Sequence, residues 1–376
     1  MSFDITSPSI IHCGAGTFGK IADEIARFGK RAAIVTGAHL VHSKLVSGLY
    51  EDLRKRGVQP FISEPVVEEP TVERVDELAA FLRHERAEVV ISIGGGSVID
   101  TAKAAAVMAT NDGTTEAYQL KRREITNPPL RQIVAPTTAG TGSEATRVSV
   151  LTNNALGIKR SISHPLMTPA IAILDPELSV SLPIEMTTLT AMDAFSHSIE
   201  SAVSLKADSY TRHIALAAIE QISKGLPACQ KNPHDLDARL ACLTGSCFAG
   251  LSMQNGLGAS HSLAPAVCIV GKLRHSEAIA ALLPHSIELN ELQRPGAYDD
   301  VKRAMGCEDV ASRLKELCVA GGVSTSLASY GMTVSQTEEV IEAMNRYGSH
   351  RQTNPVEVTD SWARELYLKS VGVQGV

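Results

Sequence analysis

The sequence predicts two domains, an N-terminal α/β domain with a parallel sheet and an all-α C-terminal domain. The chain has 376 residues, more than a single hydrophobic core usually organises. In the first half, short strands rich in Val and Ile alternate with amphipathic segments, which is typical of βαβ units. After Pro183 the strand patterns stop and helical periodicity continues to the end. We therefore expect the domains at residues 1–183 and 184–376.

The predicted strands of the first domain are short apolar runs, and the predicted helices are the amphipathic stretches beside them. Strands of a parallel sheet are buried on both faces and so form nearly continuous apolar runs. Ligands bind beyond the carboxyl ends of such strands, so the loops that follow them are candidate binding sites. We expect strands at 32–36, 88–93, 131–135 and 171–174, and helices at 17–28, 44–57, 72–84 and 97–109.

A glycine-rich loop follows the strand at residues 88–93. Three consecutive glycines, residues 94–96, precede Ser97 and an alanine-rich helix. Glycines let the backbone approach a diphosphate, and a helix N-terminus offers unbonded N–H groups. We expect Ser97 to cap this helix. The loop therefore predicts phosphate binding, with a plain turn as the alternative, although the G-x-G-x-x-G fingerprint is absent.

A second loop, PTTAGTGSE at residues 136–144, follows the strand at 131–135. It carries four hydroxyl side chains and two glycines, which suit a nicotinamide with its ribose and phosphates. A Thr-rich surface loop would have the same composition, so that alternative stays open. Lys159 comes next, either as a partner of a phosphate or ribose or as a solvated surface lysine.

The second domain contains a possible set of metal ligands. Asp193 and His197 lie four residues apart in a predicted helix, on one face of it. They can share a metal ion or form a surface polar pair. With His261 and His275 they give one carboxylate and three imidazoles, which suit a borderline divalent ion such as Fe, Zn, Co or Mn. We expect helices at 185–203, 209–223, 236–254, 258–268, 274–283, 309–319 and 335–345, and we interpret His213, His234 and His350 as surface or satisfied core residues.

Composition excludes several classes of function. The net charge of −6 does not indicate the basic surface that a nucleic-acid-binding protein needs. No apolar run reaches the roughly 18 residues of a membrane span, and the N-terminus does not resemble a signal peptide. The seven cysteines are odd in number and form no C-x-x-C, which favours reduced thiols and a cytoplasmic location.

These motifs resemble those of the iron-dependent (group III) alcohol dehydrogenases. The resemblance covers nearly the whole chain, in the family's order and spacing, and PTTAGTGSE and the D-A-x-x-H-x-x-E segment are highly specific. It implies the dehydroquinate synthase-like fold, with an α/β nucleotide domain, a helical domain, and a metal and nicotinamide in the cleft between them. The matching segments are GGGSVIDTAK, PTTAGTGSEAT, DPELSVSLP, AMDAFSHSIE and the pair His261 and His275.

The resemblance also implies a role for individual residues. The metal ligands fall on Asp193, His197, His261 and His275. The diphosphate contacts fall on Gly95, Gly96 and Ser97, the nicotinamide and ribose contacts on Thr137, Thr138, Thr146 and Lys159, and Leu178 lies near the adenine. Asp100 and Thr141, which belong to the two loop motifs, and Gly37 complete the predicted cofactor-binding set.

Two positions depart from the family's pattern. Many members that use NAD carry an aspartate after the first strand, and Gly37 stands there instead. A carboxylate would repel a 2′-phosphate and a glycine does not, so we expect NADP(H) to be preferred over NAD(H). Pro265 stands where many relatives have a histidine near the nicotinamide, so another group must relay the proton.

The expected function is that of a metal-dependent alcohol dehydrogenase or aldehyde reductase. Hydride would pass between NAD(P)(H) and a small alcohol or aldehyde, with Fe²⁺ as the expected ion and Zn²⁺ as the alternative. The competing interpretation is a lyase of the dehydroquinate synthase-like fold that uses the nicotinamide transiently. Its phosphate-rich pocket needs several Lys and Arg, which the ligand segments lack. The family further implies a homodimer or larger homo-oligomer.

Overall fold

The chain divides into two compact units. The computed structural model describes residues 5, 7–67, 69–347 and 350–373. The first unit contains the described residues up to Thr138 together with Ser143–Ser179, and the second contains Ala139–Gly142 and the residues from Val180 onwards. The main break thus follows Ser179, whereas the sequence analysis placed the boundary after Pro183. In the described ranges no helix is both long and apolar enough to cross a membrane.

Parallel strands form the centre of the first unit. The strands are β1 (Ile10–Cys13), β2 (Arg31–Thr36), β3 (Gln59–Ile62), β4 (Val89–Gly94), β5 (Arg131–Pro136), β6 (Val148–Asn153), β7 (Ile158–Ser163) and β8 (Ile171–Leu174). Six of them form one sheet in the order β1-β8-β5-β4-β2-β3, and every neighbouring pair in it is parallel. The other two, β6 and β7, form an antiparallel hairpin.

Helices cover both faces of this sheet. Side chains alternate along β2, so that Ala33 and Val35 face one apolar cluster and Ala32 and Ile34 face another. The first cluster includes residues of α3 and α4, and the second includes residues of α1 and α2, as an α/β layer requires. The helices of this unit are α1 (Ile21–Phe28), α2 (Lys44–Lys55), α3 (Val72–His84), α4 (Gly96–Met108) and α5 (Thr115–Gln119).

The register of the sheet brings the predicted loops to one edge. Gly94 at the end of β4 pairs with Pro136 at the end of β5, and Thr36 at the end of β2 pairs with Ile93. Because all three strands are parallel, the loops that follow them leave the sheet side by side. The amide of Thr137 donates to the carbonyl oxygen of Gly94 at 3.0 Å, which ties the two loops together.

The second unit is helical throughout its described residues. The core includes apolar residues of four helices, α9, α10, α13 and α14, with Trp362 and Tyr367 among its largest side chains. The helices are α6 (Ile184–Val203), α7 (Ser209–Lys231), α8 (Leu236–Ser252), α9 (Ala259–Gly271), α10 (His275–Gln293), α11 (Asp299–Met305), α12 (Val310–Ala320), α13 (Thr337–Tyr347) and α14 (Asp360–Val371).

The α/β and all-α classes expected from the sequence are confirmed, with corrections to individual elements. The sequence prediction ended α7 and α10 early, because Pro227 and Pro284 follow the predicted ends, yet both helices continue through their prolines. The sequence analysis also missed β1, β3, the β6–β7 hairpin, α5, α11 and α14. Most of these elements are short or partly exposed, so they carry little apolar periodicity.

Candidate metal centre and dinucleotide site

Helix α6 carries two of the four predicted metal ligands. Its N-cap position is Pro183, whose fixed φ suits the residue before a helix. Asp193 and His197 lie one turn apart on this helix, and Asp193 Oδ1 is 3.8 Å from His197 Nε2. Both side chains are buried, unlike the surface pair that the spacing alone allowed.

Helices α9 and α10 bring the other two predicted ligands to the same carboxylate. Asp193 Oδ1 lies 4.0 Å from His261 Nε2 and 3.6 Å from His275 Nε2. The rings of His197 and His261 stack with their centroids 4.7 Å apart, and the rings of His261 and His275 lie 5.4 Å apart. Three imidazole Nε2 atoms thus surround one carboxylate oxygen.

This arrangement fits a divalent metal ion. The ligand atoms of Asp193, His261 and His275 all lie within 4.8 Å of one another. His197 Nε2 lies 3.8 Å from Asp193 Oδ1, but His197 is not one of the three residues whose ligand atoms are all this close together. Ligands that bind one ion at about 2.0–2.2 Å are separated by roughly 3–4 Å, which is the spacing seen around Asp193. Buried His261 Nε2 has no hydrogen-bond partner among the described residues, as expected of a nitrogen that binds a metal.

Burial sets the protonation state of the second ligand. Burial lowers the pKa of His197 below its usual value, although the charge of Asp193 opposes this effect. A neutral imidazole is the form that binds a metal.

Two residues that the sequence analysis did not assign to the site lie beside the ligands. Glu200, also on α6, bonds His261 Nδ1 through Oε2 at 2.7 Å. His350 lies edge-on to His261, with ring centroids 6.4 Å apart, and its Nδ1 accepts the Leu257 amide at 3.2 Å. Burial lowers the pKa of His350 to about 4. We interpreted His350 as a surface or satisfied core residue, because no spacing links residue 350 to the ligand helices.

The first unit has an N-terminal helix end that suits a diphosphate. Helix α4 starts at Gly96, and its N-cap is Gly95, which makes no side-chain cap bond. The expectation that Ser97 caps this helix is therefore wrong; Ser97 lies inside it, and its carbonyl accepts the Thr101 hydroxyl at 2.8 Å. No side-chain cap therefore uses the amides of the first turn, so they can donate hydrogen bonds to phosphate oxygens.

Close packing around this helix end explains two of its glycines. A Cβ on Gly95 would lie 3.3 Å from Thr138 Oγ1, and one on Gly94 would lie 2.6 Å from Val98 Cγ2. Thr137 and Thr138, which follow β5, are partly exposed beside the glycines. Gly95, Gly96, Ser97, Thr137 and Thr138 therefore share one edge of the sheet.

Two further predicted cofactor residues face the protein interior. Lys103 is fully buried, and its Nζ donates to the carbonyl of Ser143 at 2.9 Å and to Thr146 Oγ1 at 3.0 Å. Asp100 Oδ1 accepts the Ser143 hydroxyl, and its Oδ2 accepts the Val150 amide at 2.8 Å. Asp100 and Thr146 thus anchor the second loop to α4, a structural role that their motifs did not reveal.

The remaining predicted cofactor residues are spread over both units. Lys159, on β7, pairs with Glu69 at 2.8 Å, and Leu178 packs against the apolar cluster beside α1 and α2. Gly37 follows β2 and forms a bridge with Val66. Thr141 belongs to the segment 139–142 of the second unit.

Family comparisons agree with both units. A model described as iron-containing alcohol dehydrogenase matches residues 8–176. A second model, described as the C-terminal region of the Fe-containing alcohol dehydrogenase family, matches residues 187–371. Together they cover most of the chain.

Individual relatives are similar over almost the same extent. A probable alcohol dehydrogenase of Escherichia coli K12, EutG, is 32% identical over 333 residues, which are 87% of this chain and 84% of that protein. A crystal structure of 1,3-propanediol oxidoreductase has a TM-score of 0.92 at 27% identity and covers 98% of this chain and 100% of its own. Sulfoacetaldehyde reductase from Bifidobacterium kashiwanohense, solved with NAD⁺, is 30% identical over 100% of both chains, with a TM-score of 0.89.

These relatives are oxidoreductases that act on alcohols or aldehydes, and nothing among them favours the lyase interpretation. Both halves of the chain match one family, and its fold is that of the solved relatives. The chain is therefore an oxidoreductase that belongs to the iron-containing alcohol dehydrogenase family.

Proposed function

We propose that this enzyme interconverts a small alcohol and its aldehyde or ketone, with one divalent ion held by Asp193, His197, His261 and His275. The observation that carries the proposal is the distance of 3.6–4.0 Å from Asp193 Oδ1 to each of the three Nε2 atoms. All four residues belong to one unit, so the helical fold alone positions them.

The ligand set determines what the site can do chemically. A bound divalent ion supplies Lewis acidity, which lowers the pKa of an alcohol oxygen or polarises a carbonyl. Because Asp193 is the single carboxylate among three neutral imidazoles, one positive charge stays uncompensated. Burial of Asp193, His197 and His261 excludes water and strengthens that charge. Pro265 has no proton to exchange, so proton transfer must use water, a cofactor hydroxyl or another side chain.

A ligand variant tests the metal assignment. Asp193→Asn keeps the size of the side chain but removes its charge, and we expect loss of bound metal and a fall in kcat/KM of more than about 100-fold. His213→Gln is the matched control, because His213 is exposed on α7 and, within the described part of the chain, bonds only Ser209 O of its own helix turn. Metal content is measured by mass spectrometry and turnover by nicotinamide absorbance. Full activity of metal-free Asp193→Asn would refute the assignment.

The choice of metal follows from the ligands and the family. Imidazole and carboxylate ligands accept Fe²⁺, Zn²⁺ and Co²⁺, and the family's description supports Fe²⁺. We expect anaerobic reconstitution of the apoprotein with Fe²⁺ to give the highest turnover. A clear preference for Zn²⁺ in the same assay would favour the alternative ion.

For the dinucleotide we propose binding at the edge of the sheet that carries Gly95, Gly96, Ser97, Thr137 and Thr138, with NADP(H) preferred. The preference rests on Gly37. A Cβ there would make only ordinary contacts, at 3.6 Å to Val66 O and 3.8 Å to Val98 Cγ2, and the φ of Gly37 is outside the left-handed region. Neither packing nor backbone conformation therefore requires a glycine at position 37. The absence of a carboxylate there can instead determine which dinucleotide the enzyme prefers.

The substrate is best found with a panel of aldehydes. Among the similar proteins, one is named for sulfoacetaldehyde and one for 1,3-propanediol, so charged and neutral substrates both occur in the family. We propose a small aldehyde and would compare neutral aldehydes with carboxylate, phosphonate and sulfonate analogues, using NADPH and NADH. A preference of at least about tenfold in kcat/KM, about 1.4 kcal/mol, identifies the class.

We also propose a homo-oligomer, as the family implies. Strand β1 lies at the end of the sheet order, and Ile10 and Ile11 on it are 39% and 36% exposed. An edge strand with exposed apolar side chains favours pairing with another chain. Sedimentation velocity would show a species larger than 40.0 kDa, whereas a monomer at all concentrations contradicts the proposal.

A further inference from the structure

We propose that Glu200 is a positioning residue of the metal centre, which holds His261 in the orientation and tautomer that bind the ion. The inference rests on the metal site proposed above and goes beyond its four ligands. Glu200 lies on α6, seven residues after Asp193, and therefore two turns along the same helix face. One helix thus supplies both a ligating carboxylate and the carboxylate that orients another ligand.

Both carboxylate oxygens of Glu200 accept hydrogen bonds. Oε2 accepts from His261 Nδ1 at 2.7 Å and from the Gly258 amide at 2.7 Å. Oε1 accepts from the Ser260 amide at 2.8 Å. The residue is 4% exposed, so water does not compete for these bonds. The carboxylate therefore fixes both the ring of His261 and the first turn of α9 that carries it.

The backbone around His261 is shaped to admit this carboxylate. Gly258 is the N-cap of α9 and makes no side-chain cap bond. A Cβ on Gly258 would lie 3.0 Å from Glu200 Cδ, closer than a side chain normally approaches. The glycine thus leaves the space that Glu200 occupies, and the glutamate replaces the missing cap from another helix.

The contacts of Glu200 determine which nitrogen of His261 faces the metal. Two backbone amides, which can only donate, bond its carboxylate oxygens, and Oε2 also lies 2.7 Å from His261 Nδ1. Because the carboxylate is the acceptor of these bonds, His261 carries its proton on Nδ1. Its Nε2 then presents a lone pair towards Asp193 Oδ1, 4.0 Å away. A carboxylate behind a ligating imidazole also raises the basicity of the ring.

A purely structural role is the alternative, because Glu200 also caps α9. Asn354 provides the comparison: its Oδ1 accepts the Ala259 amide at 3.2 Å, at the same helix end. Loss of either residue removes an acceptor from the start of α9. Only the loss of Glu200 removes the partner of His261 Nδ1.

The test compares Glu200→Gln with Asn354→Ala as full-length apoproteins. Gln has the size of Glu but no charge, and its amide NH₂ must face a donor at one of the two oxygen positions. We measure the Kd for Zn²⁺ by competition with a chromophoric chelator, the visible spectrum of the Co²⁺ form, and the thermal midpoint of each apoprotein. We expect Glu200→Gln to raise the Kd about 10–100-fold and to change the Co²⁺ spectrum. Asn354→Ala should lower the thermal midpoint and leave the Kd nearly unchanged.

The outcomes separate this inference from the proposed metal site. A wild-type protein that binds neither Zn²⁺ nor Co²⁺ overturns both. A wild-type protein that binds them, with the same Kd and Co²⁺ spectrum in Glu200→Gln, overturns the role of Glu200 alone, and so does an equal rise in Kd in both variants. Should Glu200→Gln fail to fold, Glu200→Asp replaces it. The shorter carboxylate cannot reach His261 and both amides together, so an unchanged Kd there overturns the inference.

Discussion

Gly142 and Gly250 meet backbone to backbone within the helical unit. A Cβ on Gly250 would collide with the carbonyl oxygen of Gly142 and lie 3.0 Å from the Cα of Gly142. We therefore expect Gly250→Ala to lower the free energy of unfolding by about 1–3 kcal/mol, because a methyl group must displace the loop. Gly48→Ala on α2, where a Cβ meets nothing within 4 Å, should instead stabilise by about 0.5–1 kcal/mol. Thermal denaturation of both variants checks the prediction, and matching midpoints would contradict it.

Glu144 should make stability fall as the pH rises. Burial raises the pKa of its carboxyl from 4.5 to about 7, and buried Oε1 has no hydrogen-bond partner among the described residues. The folded protein thus holds this proton more tightly than the unfolded chain does. The resulting stability is complete below pH 4.5 and is lost as the pH rises through 7. Glu144→Gln stays neutral, so it should match the wild type at pH 4 and exceed it by about 2–3 kcal/mol at pH 8. Parallel denaturation curves at all pH values would refute this.

Lys103 should be essential for the stability of the α/β unit. Its ammonium is fully buried and bonds the Ser143 carbonyl and Thr146. Lys103→Met leaves these oxygens and Asp100 without that donor, and we expect a loss of about 3–5 kcal/mol. Lys55→Met is the control, because Lys55 is 72% exposed in its pair with Asp52 and should cost less than about 1 kcal/mol. Chemical denaturation measures both, and equal losses would show that burial of Lys103 is not decisive.

Gly37 should set the preference for the dinucleotide. Gly37→Asp places a carboxylate where Val66 and Val98 leave ordinary space, so the fold should tolerate it. The new charge would repel a 2′-phosphate and can accept hydrogen bonds from ribose hydroxyls. We expect the ratio of kcat/KM for NADPH over NADH to fall by about tenfold or more, as followed by nicotinamide absorbance. Gly37→Asn, which adds the same bulk without charge, should shift the ratio less; an equal shift would assign the effect to size.

The α/β and helical classes could be predicted because their signals are local. Strands such as β4 are continuous apolar runs, and α6 combines a long breaker-free pattern with a proline before its start. The hairpin of β6 and β7 escaped prediction because its partly exposed strands mix polar and apolar residues and lack the apolar run of a buried strand. The predicted helices around Pro227 and Pro284 ended too early, because both prolines are tolerated inside their helices.

The candidate site could be predicted only in part. The proximity of Asp193 and His197 follows from their spacing on one helix. The contact of His261 with Glu200 joins residues 61 positions apart, and no local pattern encodes such a pairing. Asp100 was expected to bind the cofactor, but its carboxylate faces Ser143 and the amide of Val150, because a fully buried lysine at position 103 requires a network of acceptors around it.

The tetrapeptide Ala139–Gly142 belongs to the helical unit although the chain on either side of it belongs to the other. Dissection of the gene at the break after Ser179 would therefore separate the four residues from the helices they contact. A fragment starting at Val180 would lack Gly142, which packs on Gly250. Engineers who wish to graft the helical unit onto another protein must supply this peptide as well, because no contiguous segment consists of that unit alone.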